Sequence, residues 1–216
     1  MMLLFYGNIV HSVLEDNIDN LKPLDQESLL VDYDKKRLSY DPTSIIKEDL
    51  ISVGKNIILE FYDRHSEEQF SVKDKEMQFS FILGSFIVNG FIDRVDEYEN
   101  RIEIIDYKTG KWEVPQKSIK DNLQLGIYAL AASRIFPGKE IYAELYYLRS
   151  GKRKGHTFTE EDLENVKIEI INFGNKIIND NNFTPTPNER VCSFCDHAKS
   201  GACATGVARN KKNQGR

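Results

Sequence analysis

Two runs rich in β-branched and aromatic residues flank the polar segment Glu97 to Asn100, so the stretch from Gly90 to Gly110 reads as a β-hairpin. Its second arm, Arg101 to Lys108, has apolar residues on both faces, the pattern of a buried central strand. That arm nevertheless ends Ile105-Asp106-Tyr107-Lys108. Asp106 and Lys108 lie two apart, so they share one face within roughly 7 Å. A carboxylate at the end of such an apolar run is costly to desolvate unless a cation holds it. Asp93, on the first arm, can bring a second carboxylate to the same place, whereas Asp96, offset by three, falls on the other face. Two hard oxygen donors beside a lysine suit Mg²⁺ or Mn²⁺. They also fit an ordinary hairpin with solvated charges.

The 216 residues suffice for one well-cored domain with a small appendage. No run of eighteen apolar residues occurs, so no membrane span is expected. The N-terminal Met-Met-Leu-Leu-Phe-Tyr lacks the basic start and the length of a signal peptide, which points to a cytoplasmic location. The net charge of −5 argues against non-specific coating of nucleic acid but allows a local basic groove beside an acidic site. Cys192, Cys195 and Cys203 are the only cysteines; an odd, clustered set suggests metal ligation over disulfides.

Apolar spacing predicts a helix over residues 3–21, carrying His11, and another from Ser44 to Arg64, joined by a polar connection or loose helical excursion from Lys22 to Asp41. Strands are expected at Lys75–Leu83 and Phe86–Val95 ahead of the central arm. Ser118 and Asp121 resemble a capping box opening a helix to Ile135, with Gln124 and Tyr128 on one face. A strand at Glu140–Leu148 then leads into the basic turn Arg149–Lys154. Thr159 and Asp162 form a second capping box before a helix to Ile178, with Leu163, Val166, Ile170, Phe173 and Ile177 inward. Residues 1–181 read as the main domain, 182–205 as an irregular cysteine-bearing segment and 206–216 as a basic tail. The order fits an α/β domain with a mixed sheet and helices on its faces.

Five motifs occur in a set order: Gly7-x-x-x-His11-x-x-Leu14-Glu15, Gly90-Phe-Ile-Asp93-Arg-Val-Asp96, Ile105-Asp106-Tyr-Lys108-Thr-Gly110, Gln124-Leu-x-x-Tyr128 and the cysteine cluster. Together they resemble the PD-(D/E)XK nuclease superfamily, and within it the RecB-like branch that includes the AddB nuclease domain and CRISPR-associated adaptation nucleases. The resemblance implies a restriction-endonuclease-like mixed central sheet flanked by helices. It implies that Asp93 and Asp106 are metal ligands, with the Tyr107 carbonyl as a third oxygen and His11 as a nitrogen ligand. Lys108 would be the catalytic lysine, with Gln124 and Tyr128 holding it or a phosphate. Glu76 matches a glutamate often found ahead of the glycine–aspartate motif, although an exposed strand residue is an equal reading.

The implied activity is hydrolysis of DNA phosphodiesters with Mg²⁺ or Mn²⁺, as an exonuclease or on single strands, in repair, recombination or CRISPR adaptation. Partners would be DNA, a helicase or CRISPR adaptation proteins. The alternative is a non-catalytic DNA-binding or assembly module of such a complex. Cys192, Cys195 and Cys203 resemble the last three ligands of an iron–sulfur cluster whose first cysteine lies upstream of the helix histidine; no upstream cysteine is present, so a four-thiolate cluster is incomplete within this chain. His197 is a candidate substitute ligand. Trp112 either stacks on a base or packs beside Pro115, and the basic turn and tail are candidates for phosphate contact.

Overall fold

The hairpin grows into the middle of a five-stranded sheet in the computed structural model, which describes residues 2–20, 25–40, 48–182 and 184–205. Strands β1 (Val72–Leu83), β2 (Phe86–Glu97), β3 (Arg101–Lys108), β4 (Glu140–Tyr147) and β5 (Lys152–Phe158) lie in sequential order, antiparallel except for the parallel β3–β4 pair. A parallel pair needs a crossover, and α4 (Leu123–Ile135) provides it. The chain divides into two compact units, residues 2–173 and the residues from Gly174 onward.

In the first unit β3 is buried on both faces because helices cover both. On one face α1 (Met2–Asn17), α2 (Gln26–Tyr40) and α3 (Glu48–His65) pack Ile9, Val13, Tyr33 and Phe61 against Ile105 and Tyr107. On the other, α4 packs Leu125 and Ala129 against Ile102 and Ile104, and α5 (Glu160–Asn179) adds Val166 and Ile170 against Leu130 and Leu83. Alternation along β3 therefore sends Ile102, Ile104 and Asp106 to one layer and Ile105 and Tyr107 to the other. Gly90 is required by close approach: a Cβ there would sit 2.9 Å from the Phe79 ring.

Several elements differ from the sequence reading. Residues 26–40, expected as a connection or a loose helical excursion, form the regular helix α2, whose described side chains bury only Leu29 and Tyr33; two buried positions leave too weak an apolar period to mark a full helix. The basic turn Arg149–Lys154 is half strand, because Lys152 to Lys154 open β5, an edge strand whose polar residues gave no alternation signal. Ser118 closes a short 3₁₀ turn, Gln116–Ser118, and caps nothing; α4 begins at Leu123, with the Asn122 side chain accepting a hydrogen bond from the Leu125 amide at 3.0 Å. Asn122→Ala is accordingly expected to cost about 1 kcal/mol in a urea melt and Ser118→Ala far less.

The Thr159–Asp162 box forms as expected, with the Thr159 amide donating to Asp162 at 3.0 Å and the Asp162 amide donating to Thr159 Oγ1 at 3.2 Å. Phe173 and Ile177 of α5, expected inward, are exposed, since packing on the sheet ends with Ile170 and Ile171. In the second unit the short helices α6 (Glu189–Phe194) and α7 (Asp196–Lys199) interrupt a stretch expected to be irregular. No described helix is long and apolar enough to cross a membrane. The expectations placed on the Leu3 and Leu4 side chains, residues 21–24, residues 41–47 and the basic tail 206–216 fall outside what is described.

Candidate active site

The β2–β3 ladder runs from Glu97↔Ile102 to Arg94↔Ile105 and stops. Beyond it β2 pairs only with β1, and β3 only with β4. The sheet forks there, and one more step of the register would set Asp93 opposite Asp106. The fork removes the ladder partner of the Tyr107 amide, and Asp93 Oδ2 replaces it, accepting that hydrogen bond at 2.8 Å.

Helix α1 brings His11 to the fork. Gly7 lets α1 approach the end of β3: a Cβ at Gly7 would lie 3.1 Å from Thr109 Oγ1. Tyr6 and Arg149 hold the same point, the Tyr6 hydroxyl donating to the Thr109 carbonyl at 2.9 Å and Arg149 Nε donating to it at 2.7 Å. One turn after Gly7, His11 Nδ1 lies 3.5 Å from Asp93 Oδ2. The spacing Gly7-x-x-x-His11 thus has a mechanical reason: docking residue and ligand candidate share one helix face.

Strand β1 contributes Glu76. Its φ of 49° is the only positive value among described non-glycine residues, and it occurs inside a strand. Backbone strain of that kind is worth about 1–3 kcal/mol and persists where surroundings impose it. Here it accompanies the arrival of the Glu76 carboxylate: among the described residues, His11, Glu76 and Asp93 form the group whose donor atoms all lie within 4.8 Å of one another. An open cleft of about 360 Å³ is lined by these three with Asn8, Ser12 and Glu15. Nothing in residue spacing announces a left-handed strand residue, which is why Glu76 read equally well as an exposed side chain.

Asp106 and Lys108 complete the cluster from β3. Lys108 Nζ is 2.5 Å from Asp106 Oδ2, yet that buried oxygen has no hydrogen bond of acceptable angle. We read the contact as an ion pair that leaves lone pairs of Asp106 open. Gln124 on α4 bridges the two residues: its Nε2 donates to Asp106 Oδ1 at 2.9 Å and its Oε1 accepts from Lys108 Nζ at 3.0 Å. Gln124 Nε2 also donates to the Tyr128 hydroxyl at 2.9 Å, one turn along. Asp96 points the other way, buried in an ion pair with Arg94.

Burial dominates the electrostatics. It pushes the Asp93 and Asp106 carboxyls up to about 6, with the charge of Asp93 raising Asp106 further. It also raises Glu76, with Asp93 as the next cause, and lowers His11. Three carboxyls crowded at low dielectric without enough cation are the donor set a divalent ion satisfies, and a neutral imidazole is the form that ligates one. The residues present therefore fit Mg²⁺ or Mn²⁺, which His11, Glu76 and Asp93 could hold, with Asp106 alongside. The observed contribution of Tyr107 is its amide on Asp93.

A family model described as the PD-(D/E)XK nuclease superfamily matches residues 4–200. The chain belongs to that superfamily. It is 30% identical over 128 residues to the Gene 69 protein of Mycobacterium phage D29, covering 56% of this chain and 45% of that protein. The corresponding protein of Mycobacterium phage L5 is likewise 30% identical, over 127 residues, with 41% of its length covered. The chain thus spans less than half the length of these relatives. A 101-residue segment is 30% identical to one subunit of an ATP-dependent helicase/nuclease of Streptococcus pneumoniae, covering 8% of that protein. A solved candidate exonuclease from Eubacterium rectale shares the fold, with TM-score 0.52 and 11% identity over 82% of this chain and 66% of that one. The family model places the chain in its superfamily, and the likenesses go no further into the AddB or CRISPR-adaptation branch.

In the second unit Cys192, Cys195, Cys203 and His197 border a cavity of about 340 Å³, and the Cys203 amide donates to the His197 carbonyl at 2.9 Å. No disulfide joins the cysteines. Their sulfurs do not converge as the His11, Glu76 and Asp93 donors do. A four-thiolate cluster needs one more thiol than borders this cavity.

Proposed function

We propose that this nuclease is a divalent-metal-dependent deoxyribonuclease acting on DNA ends or single strands, with the β2–β3 fork as its active centre. The observation that supports the reading is the convergence of His11, Glu76, Asp93, Asp106 and Lys108 on that fork from four separate elements. A divalent ion held there would neutralise phosphate charge and lower the pKa of an attacking water. The protein's part is to place the rest. Lys108, partly exposed, presents its ammonium toward a phosphate oxygen. Gln124 fixes that ammonium against Asp106, and Tyr128 fixes the orientation of the Gln124 amide. Asp106 is itself buried, so water screens its charge and its pairing with Lys108 little.

A role beside a helicase, in repair, recombination or CRISPR adaptation, belongs to the same proposal and draws on the similarity to the streptococcal helicase/nuclease. The test is cleavage of end-labelled linear and closed circular single strands and duplexes with Mg²⁺, Mn²⁺ or EDTA. Metal-dependent loss of linear substrates that Lys108→Ala does not show supports the reading. Cleavage that survives EDTA or Lys108→Ala refutes it.

The raised carboxyls make a separate prediction about ion binding. Between the ordinary value of 3.8 and about 6, the folded protein holds more protons at Asp93 and Asp106 than the unfolded chain does. Without metal their contribution to stability therefore falls as pH rises through that window and is lowest above it. An ion displaces those protons, so millimolar Mn²⁺ should raise the melting temperature more near pH 7.5 than near pH 5. Glu76→Gln should weaken Mn²⁺ binding, followed by calorimetry, at least about tenfold. An increment that grows on acidification would contradict this.

A further inference from the structure

Trp112, the sole tryptophan, is 82% exposed although tryptophan is on average a deeply buried residue. It stands four residues after Lys108, so its Cα lies at most about 14 Å from that of Lys108, a distance set by chain length alone.

The loop that carries it is pinned on both sides. Before it, the Thr109 carbonyl accepts from Tyr6 and Arg149. After it, the Val114 amide donates to the Tyr147 hydroxyl at 3.0 Å, the Val114 carbonyl accepts from Lys154 Nζ at 2.8 Å, and Gln116 Nε2 donates to the Gly155 carbonyl at 2.9 Å. Glu113, next in sequence, is turned to Lys154 at 2.9 Å and Lys152 at 3.4 Å. Lys111, Lys117 and Lys120 are exposed and make no ion pair among the described residues. A largely exposed indole thus stands in a loop pinned at both ends, directly after the strand that carries Asp106 and Lys108, with exposed lysines at positions 111, 117 and 120 of the same stretch of chain.

We infer that Trp112 is a stacking platform for a nucleobase of single-stranded DNA beside the cleavage centre. The inference deepens the nuclease reading by naming a substrate class. The lysines suit the phosphates on either side of the base, and the indole suits its π-face. A duplex offers no such face, because its bases are already stacked and paired, so the platform selects unpaired nucleotides.

Because Trp112 is the only tryptophan, its emission reports the contact directly. Titrating the full chain in EDTA with an oligothymidylate should quench that emission saturably, and a strand of equal charge carrying abasic sites should quench it far less. Trp112→Ala should weaken oligonucleotide binding, followed by anisotropy of a labelled strand, by roughly 5- to 100-fold. Trp112→Phe should retain most of it. Equal binding by Trp112→Ala, or equal quenching by the abasic strand, overturns the inference even where DNA is cleaved. Base-dependent quenching without metal-dependent cleavage upholds the platform while overturning the nuclease reading.

Discussion

Asp106→Asn is expected to lower metal-dependent DNA cleavage by at least about 10²- to 10³-fold while the protein melts at an equal or higher temperature in EDTA. The two effects have one cause. Asp106 is 2% exposed, its carboxyl is pushed up to about 6 by burial and by Asp93, and its Oδ2 lacks a well-aligned hydrogen bond. On the proposed reading, the cost is borne because the charge serves an ion as well as pairing with Lys108. Asparagine keeps the shape and the acceptor for Gln124 Nε2 but removes the charge, so strain and chemistry leave together. Lys108→Ala should lose activity comparably without the gain in stability, since the carboxylate then loses its cation. Initial rates on labelled DNA and melts of the same preparations decide the matter. Wild-type rates in Asp106→Asn would remove the fork from consideration as the active centre.

Arg94→Ala is expected to carry the largest stability cost, about 3–5 kcal/mol. Arg94 and Asp96 are 3% and 1% exposed, and Arg94 Nε donates to Asp96 Oδ1 at 2.7 Å. The guanidinium also donates to the Tyr107 hydroxyl at 3.2 Å and lies 4.0 Å above the Phe70 ring. Truncating the arginine strands a carboxylate with almost no water, which is the costly half of a buried pair. Replacing both partners, as Arg94→Met with Asp96→Leu, should recover most of the loss, because the pair's net worth against apolar residues is small. Denaturant melts of the single and double variants measure this. A loss below about 1 kcal/mol in Arg94→Ala would show that water reaches Asp96. Since Tyr107 sits between Asp106 and Lys108, cleavage should fall in Arg94→Ala and return in part in the double variant.

Much of the candidate site was legible because it is written in short-range order. Asp106 and Lys108 share a face by strand alternation, Gln124 and Tyr128 by helical spacing, and the structure joins these pairs through one amide. Asp96 was separated from Asp93 by the same parity, and the structure buries it on the opposite side. β5 was not legible: its edge residues are polar and contain Gly155, so neither hydrophobicity nor alternation marks them. The true cap of α4 was hidden behind a better-looking serine, because a 3₁₀ turn moved the helix start to Asn122.

Local pattern in the chain therefore decided which faces are apolar, where the central strand runs and which charged residues sit at its end. Periods of two and of 3.6 residues depend only on backbone geometry. The meeting of His11, Glu76 and Asp93 was decided by packing across 82 residues of sequence. Gly7 against Thr109 sets the position of α1, the end of the β2–β3 ladder opens the fork, and a left-handed backbone at Glu76 turns its carboxylate inward. Each of these is a contact between elements or a strain imposed by them, and no single segment encodes it.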